Sequence, residues 1–280
     1  MKIILSRKGF DSVAGGGASP IIDGKTLLSL PIPDKYMTEN DKQKIRYSDL
    51  NYYGINYRDL ITNLRPSFTG EFCHLDPDIR GNIRSPGHKW NPAFGQTGNA
   101  QKILESVKVD IGDIFLFFGW FRGVELKNGK YRYLTKRTGT NFSSYANLHV
   151  IYGYMQIGEI IHERDRIKHE FGNHPHSCEW YLNSDNNAIY KPADYLTSLE
   201  LDHTAGYGTL DFAPERILTK VDCPRSYWEN QPWLDNSKQL SNVHCRNIGN
   251  NCLTYVGQWQ ELVFDVDQSI LPLVRKIITR

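Results

Sequence analysis

The run DIGDIFLFFGWFRG, from Asp110 to Gly123, constrains this chain more than any other stretch. Apolar residues follow one another without a break from Ile114 to Phe118. Successive side chains of a strand point to opposite faces, so a run apolar at every position is a strand covered on both sides. Some thirty residues later HVIYGYMQIGEII, from His149 to Ile161, repeats the pattern. Its alternation predicts Val150, Tyr152, Tyr154, Gln156 and Gly158 on one face. Glycines interrupt both runs, and glycine inside a strand marks a bulge, a bend or a close approach of another backbone. The pair predicts an α+β fold built on a mixed, strongly curved β-sheet or small barrel, with short peripheral helices.

The flanking text fits that plan. Met1 to Ser6 reads as an opening buried strand, and TLLSLPIP (Thr26 to Pro33) as a second, stopped by its prolines. NYRDLITNL places Leu60, Ile61 and Leu64 on one face of a short helix, and NAQKILESVKV does the same with Ile103, Leu104 and Val107. LKNGKYRYLTK is a hairpin whose two-residue turn is Asn128-Gly129. SILPLVRKIITR closes as a short amphipathic helix with cations at its C-terminal end. With no internal repeat, low-complexity tract or composition shift, residues 1–280 read as one domain.

Charge and cysteines narrow the function. A net charge of +2 excludes a uniformly basic coat for nucleic acid but leaves room for a local patch. No run approaches the ~18 apolar residues of a membrane span. The opening MKIILSRKGFD has four apolar residues where a signal peptide needs ~7–15. The five cysteines are odd in number and scattered, which favours reduced thiols and a cytoplasmic location.

The strongest polar cluster is SRKGFDSVAGGG. Arg7 and Lys8 follow a strand end, the glycines admit close backbone approach, and successive N–H groups can cup an anion. Ser6, Arg7, Lys8 and Asp11 are therefore candidate phosphate-binding residues, with Asp11 holding Arg7 or a ribose hydroxyl; the alternative is a solvated loop. The loop matches neither GxxxxGK[ST] nor GxGxxG. HLDPD spaces His74, Asp76 and Asp78 at alternate positions, one face of an extended strand. Such a trio could hold a divalent metal or act as acid and base. The alternative is turn chemistry, with Asp76 and Asp78 flanking a proline beside Arg80. We assign these three as candidate catalytic residues and no metal ligands.

GHKWNPAFGQTGNA offers His88, Trp90, Gln96 and Asn99. Trp90 or Phe94 could stack on a base and Gln96 could read its edge, or the aromatics could be core. HEFGNHPHSC carries His169, His174, His176 and Cys178, but its spacing fits no standard zinc set, and it reads as a surface loop of hydrogen-bonded histidines. LDHTAGYGTLDF adds His203 and Tyr207 among glycines as candidate ligand contacts, and Trp228 and Trp233 read as buried.

Two resemblances follow. The pair GDIFLFFGWF and HVIYGYMQIGEII resembles the strand pair of PUA-like domains, which include EVE and ASCH modules, through Gly112, Asp113, Gly153, Gly158 and Glu159. This implies a barrel core around residues 110–161 that binds RNA or reads flipped, modified bases. The chain as a whole resembles the nucleotide modification-associated domain family, third type. SRKGFDS, LLSLPIP, HLDPDI, AFGQTGNA, HPH, AGYGTLDF and GQWQE carry the likeness by their order. That resemblance implies a prokaryotic or phage DNA-modification or defence setting, with a nucleotide or flipped base in a pocket. The cofactor stays unknown. Three functions remain open. One is an enzyme of nucleotide or nucleic-acid modification. Another is a non-catalytic reader of modified bases that works with a partner modification enzyme. The third is a small-molecule hydrolase or transferase acting on an anionic substrate.

Overall fold

A computed structural model of the chain describes residues 1–38, 40–42, 44–84, 90–235, 238–241, 245–249, 251–255 and 260–279. Both apolar runs became 14-residue strands, Ile114–Lys127 and Leu148–Ile161, paired antiparallel at the centre of one mixed sheet. The opening strand, Lys2–Arg7, lies parallel to Ile114–Lys127 on one side and antiparallel to Glu261–Asp265 on the other. Beyond Leu148–Ile161 come Ala188–Pro192 and then Phe94–Gln96. Among the described residues the sheet, with its branches, has 11 strands.

Its two faces are both covered, as the unbroken apolar run requires. Ile3, Leu5, Ile114, Leu116 and Phe118 pack on one side with Trp228, Trp233 and the C-terminal helix Leu271–Thr279. Ile4, Phe115, Phe117 and Phe121 pack on the other with Phe94, Tyr190 and Leu104 of the helix Gly98–Ser106. A third cluster gathers around the helix Tyr57–Leu64, whose Leu60, Ile61 and Leu64 are buried as their spacing predicts. The Asn128-Gly129 hairpin is present, with both residues at positive φ. No described helix is long and apolar enough to cross a membrane.

Three expectations need correction. The sheet does not close into a barrel: its path ends at Lys238–Gln239 and at Phe94–Gln96, edges of two and three residues that are not paired with each other among the described residues. The alternation along Leu148–Ile161 breaks, because Ile151 faces Phe118 while Gly153 faces Phe117, leaving Tyr152 as an extra residue. Such a bulge shifts the later side chains to the other face. Tyr152 thus packs with Val150, whereas Tyr154 joins the opposite core. Thr26 to Pro33 is two fragments, Thr26–Leu27 and Ile32–Pro33; the latter pairs with Cys73–His74. Pro31 and Pro33 lack the N–H groups a continuous strand would use.

The partner of Ile114–Lys127 changes along its length. It pairs with the opening strand as far as Phe118, then with Ser19–Ile22 from Phe121 onward. The loop 8–18 leaves the sheet in the gap. Gly119 lies under it, and a Cβ there would stand 2.7 Å from the Lys8 carbonyl oxygen. This close approach accounts for the glycine in FFGWF.

On the first face, Trp228 donates its indole N–H to His149 Nδ1 at 3.0 Å. Burial, reinforced by the positive charges of Arg225 and Arg7, pushes the His149 pKa down to about 3. The unfolded imidazole takes a proton near pH 6.5. Stability from this group is therefore present above about pH 6.5 and lost as pH falls, by about 1.4 kcal/mol per unit. Unfolding free energies from urea titrations between pH 7 and pH 4 should show the gap between wild type and His149→Gln shrinking as the solution is acidified. A gap that stays constant would show that His149 does not titrate this way.

Candidate functional site

The strand exchange beside Phe118 puts Arg7, Lys8 and Asp11 at the rim of a cleft of about 550 Å³. Other parts of the chain complete it, among them His74 with Asp76, Gln96 with Thr97, the helix Gly98–Ser106, and His176 with Tyr181. The volume lies within the range of small-molecule sites.

The basic wall is anchored by a carboxylate from the far end of the sequence. Glu261 is fully buried, and its Oε1 accepts from Ser6 Oγ at 3.0 Å and Gln96 Nε2 at 2.7 Å. Lys8 Nζ stands 3.5 Å from the same oxygen and 4.4 Å above the Phe94 ring. Burial pushes the Glu261 carboxyl above its ordinary range, while Lys8 and the hydrogen bonds from Ser6 and Gln96 pull the other way. Arg7 pairs with Asp11 at 3.4 Å, and Asp11 Oδ1 also accepts from the amides of Val13 and Ala14. Across the cleft, Asn186 ties the helix start through the Gly98 amide and carbonyl. Asn99 and Ala100, in a first helical turn whose amides have no partner inside the helix, line the cleft. Two cations and a helix N-terminus together favour an anion.

The opposite wall is a cluster of histidines and carboxylates. Asp34 Oδ2 lies 3.0 Å from His74 Nδ1. Its other oxygen accepts from the amides of Tyr36 and Met37. Burial works against charge on Asp34, yet His74 and these amides hold its pKa below the usual carboxylate value. Asp76 Oδ1 accepts from the Gly95 amide at 2.7 Å and lies 3.3 Å from His174 Nε2. Burial raises the Asp76 pKa, but His174, Lys8 and His176 outweigh it and keep the carboxyl ionised well below the ordinary range. His176 Nδ1 lies 2.7 Å from Asn187 Oδ1, and its ring stacks on Tyr181 at 4.4 Å. Burial pushes the His176 pKa down to about 3, against upward pulls from Asp76 and Asn187. Gly95 leaves the space this ring occupies: a Cβ would sit 2.3 Å from His176 Cδ2. Ligand atoms of His74, Asp76 and His176 all lie within 4.8 Å of one another.

Of the residues singled out in the sequence, Arg7, Lys8, Asp11, His74, Asp76, Gln96, Asn99 and His176 line this cleft, with Ser6 directly behind Lys8. Asp78 is not among them. The strand ends at His74, so alternation does not carry on to Asp78, which binds Arg84 and accepts from Trp90 Nε1 at 2.9 Å. Trp90 packs on Tyr207 away from the cleft. His203 is exposed on the strand Leu201–Ala205, and Tyr207 lines a separate depression beside Lys191. His88 and the GQW of GQWQE lie outside the described residues. The reading of HPH as a surface loop is corrected: His174 and His176 are buried, because the short turn Pro175–Ser177 packs on Phe94–Gln96. Gly112 and Asp113 are structural, Asp113 accepting from the Lys2 amide at 2.7 Å. Glu159 pairs with Arg166 and Lys191 on the surface.

Sequence reasoning missed Asp34, Asn187 and Glu261 as site residues. Glu261 did stand in the GQWQE segment, but nothing local marks it as the partner of Ser6 and Lys8.

A second depression, about 810 Å³, shares Arg7 and Asp11 with the first and adds Arg122, Lys136 and Arg225. Arg225 lies 4.0 Å over the Trp120 ring.

A family model described as nucleotide modification associated domain 3 matches residues 2–265. Comparison with curated proteins and with solved structures gave no match.

Proposed function

The chain belongs to the nucleotide modification associated domain 3 family, and from that premise we propose that the cleft binds a nucleotide, or a base turned out of a nucleic acid, and modifies it. The whole chain, 1–280, acts as one such domain, and a cytoplasmic setting suits the free thiols of Cys73, Cys178, Cys223 and Cys252. One observation carries the reading. Arg7, Lys8 and a helix N-terminus face His74, Asp76 and His176 across a single cleft. The first group suits phosphate, by a guanidinium fork and a helix N-terminus. The second group suits proton transfer or activation of the attached base. Gln96 Nε2 is committed to Glu261 and its Oε1 to Thr97 N, so Gln96 shapes the wall and does not read the base edge. The adjoining depression with Arg122, Lys136 and Arg225 offers a path for further phosphates, which favours a polynucleotide over a free mononucleotide.

Binding of nucleoside monophosphates and short single-stranded oligonucleotides at low salt tests this. Arg7→Ala should weaken oligonucleotide binding about 10- to 100-fold, the worth of a charge-assisted contact, and lower the salt slope by about one. Asp76→Asn should preserve affinity while abolishing turnover; a change in affinity alone would mark the protein as a reader. Absence of any binding at low salt would refute the proposal.

A further inference from the structure

We propose that His74, Asp76 and His176 form a site for a first-row divalent transition-metal ion. This goes beyond the nucleotide reading and stands apart from it. Three features of the cluster support it.

First, each histidine has one ring nitrogen occupied and the other turned to the common space. His74 Nδ1 faces the Asp34 carboxylate, with the Tyr181 hydroxyl 3.2 Å away, and His176 Nδ1 faces the Asn187 carbonyl; the carboxylate and carbonyl oxygens only accept, which assigns the protons to Nδ1. Both Nε2 atoms are left as lone pairs, with no hydrogen-bond partner among the described residues. That is the arrangement in which a histidine ligates a metal while an outer oxygen orients it. Second, Asp76 is held the same way. Oδ1 takes the Gly95 amide and faces His174, while Oδ2 is directed to His74 Nε2 at 4.0 Å. Third, Asp34 and Asn187 each hold a histidine, and His174 lies 3.3 Å from Asp76, around groups that have no partner between them among the described residues. A purely structural cluster of buried polar groups would close on itself.

Two donors on one ion at about 2.1 Å stand roughly 3–3.5 Å apart, so binding would draw these atoms inward by about an ångström. A donor set of two imidazoles and one carboxylate matches first-row transition ions and leaves coordination positions open toward the cleft. Mg²⁺ and Ca²⁺ prefer all-oxygen sets.

Zn²⁺ and Co²⁺ titrations of the full chain, after dialysis against chelator and without nucleotide, test the site. One ion per chain is expected, with a higher melting temperature and, for Co²⁺, visible absorption bands. His176→Ala should lower affinity at least 100-fold, and Asp34→Asn 10- to 100-fold, the range for an outer partner. The exposed His169→Ala and His203→Ala should leave it unchanged. Because truncating a buried residue can damage the fold, long-range ¹H–¹⁵N spectra of the unmutated protein give an independent reading. Zn²⁺ should shift Nε2 of His74 and His176 while their Nδ1–H signals persist. No saturable uptake at micromolar ion, or uptake unchanged by His176→Ala and Asp34→Asn, overturns the proposal. Either result leaves oligonucleotide binding through Arg7 to be judged separately.

Discussion

Replacing Lys8 by methionine should destabilise the protein by about 3–5 kcal/mol near pH 8, the cost of stripping a buried charge of its partner. The Lys8 side chain is 8% exposed and Glu261 is fully buried, so the carboxylate left behind cannot recover its hydration. The loss should depend on pH. Burial already favours the protonated Glu261 carboxyl, and removal of the ammonium raises its pKa further. Below the ordinary glutamate range, near pH 4.3, the group is neutral both folded and unfolded and the penalty is small. As pH rises the unfolded carboxyl ionises freely while the folded one resists, so the deficit of the variant grows. Urea titrations at pH 5 and pH 8 should show the larger loss at pH 8, and a Glu261→Gln background should remove most of the difference. Equal losses at both pH values would mean that Lys8 does not neutralise Glu261.

Trp228→Ala should cost about 3–5 kcal/mol, the usual range for deleting a buried indole. Trp228 is wholly inaccessible, stacks on Tyr255 at 4.7 Å and meets Phe118 edge-on at 5.2 Å. The truncation also leaves His149 Nδ1 without its donor. Trp228→Phe keeps most of the volume and loses only the N–H, so its cost should fall near 1–3 kcal/mol, that of one unmet buried group. Denaturant midpoints rank the two variants. A loss under about 1 kcal/mol for the alanine would show that this cluster is not packed as described.

What the sequence revealed follows from the range of each interaction. The long strands were legible because Ile114 to Phe118 are apolar at every position, a purely local signal. The helix Tyr57–Leu64 and the Asn128-Gly129 turn were legible for the same reason. The bulge at Tyr152 was not, since it arises from pairing with another strand and leaves no mark in the spacing. In the site, HLDPD and HPH were each visible as polar motifs. Their meeting was not, because His74 and His176 come together only where their two segments pack beside Phe94–Gln96. Seen alone, HPH has no metal spacing and Asp78 looks equivalent to Asp76. Only the surrounding partners, Asn187 for His176 and Arg84 for Asp78, set the two apart.

The contact between Ser6 and Glu261 spans 255 positions. During synthesis on a ribosome, the donors Ser6, Lys8 and Gln96 would have emerged long before the carboxylate that accepts from them. Until the last strand docks, Lys8 has no buried counter-charge and the opening strand keeps an unpaired edge. Such distant closure is a slow step, and an incomplete nascent chain would have no finished cleft to offer a ligand.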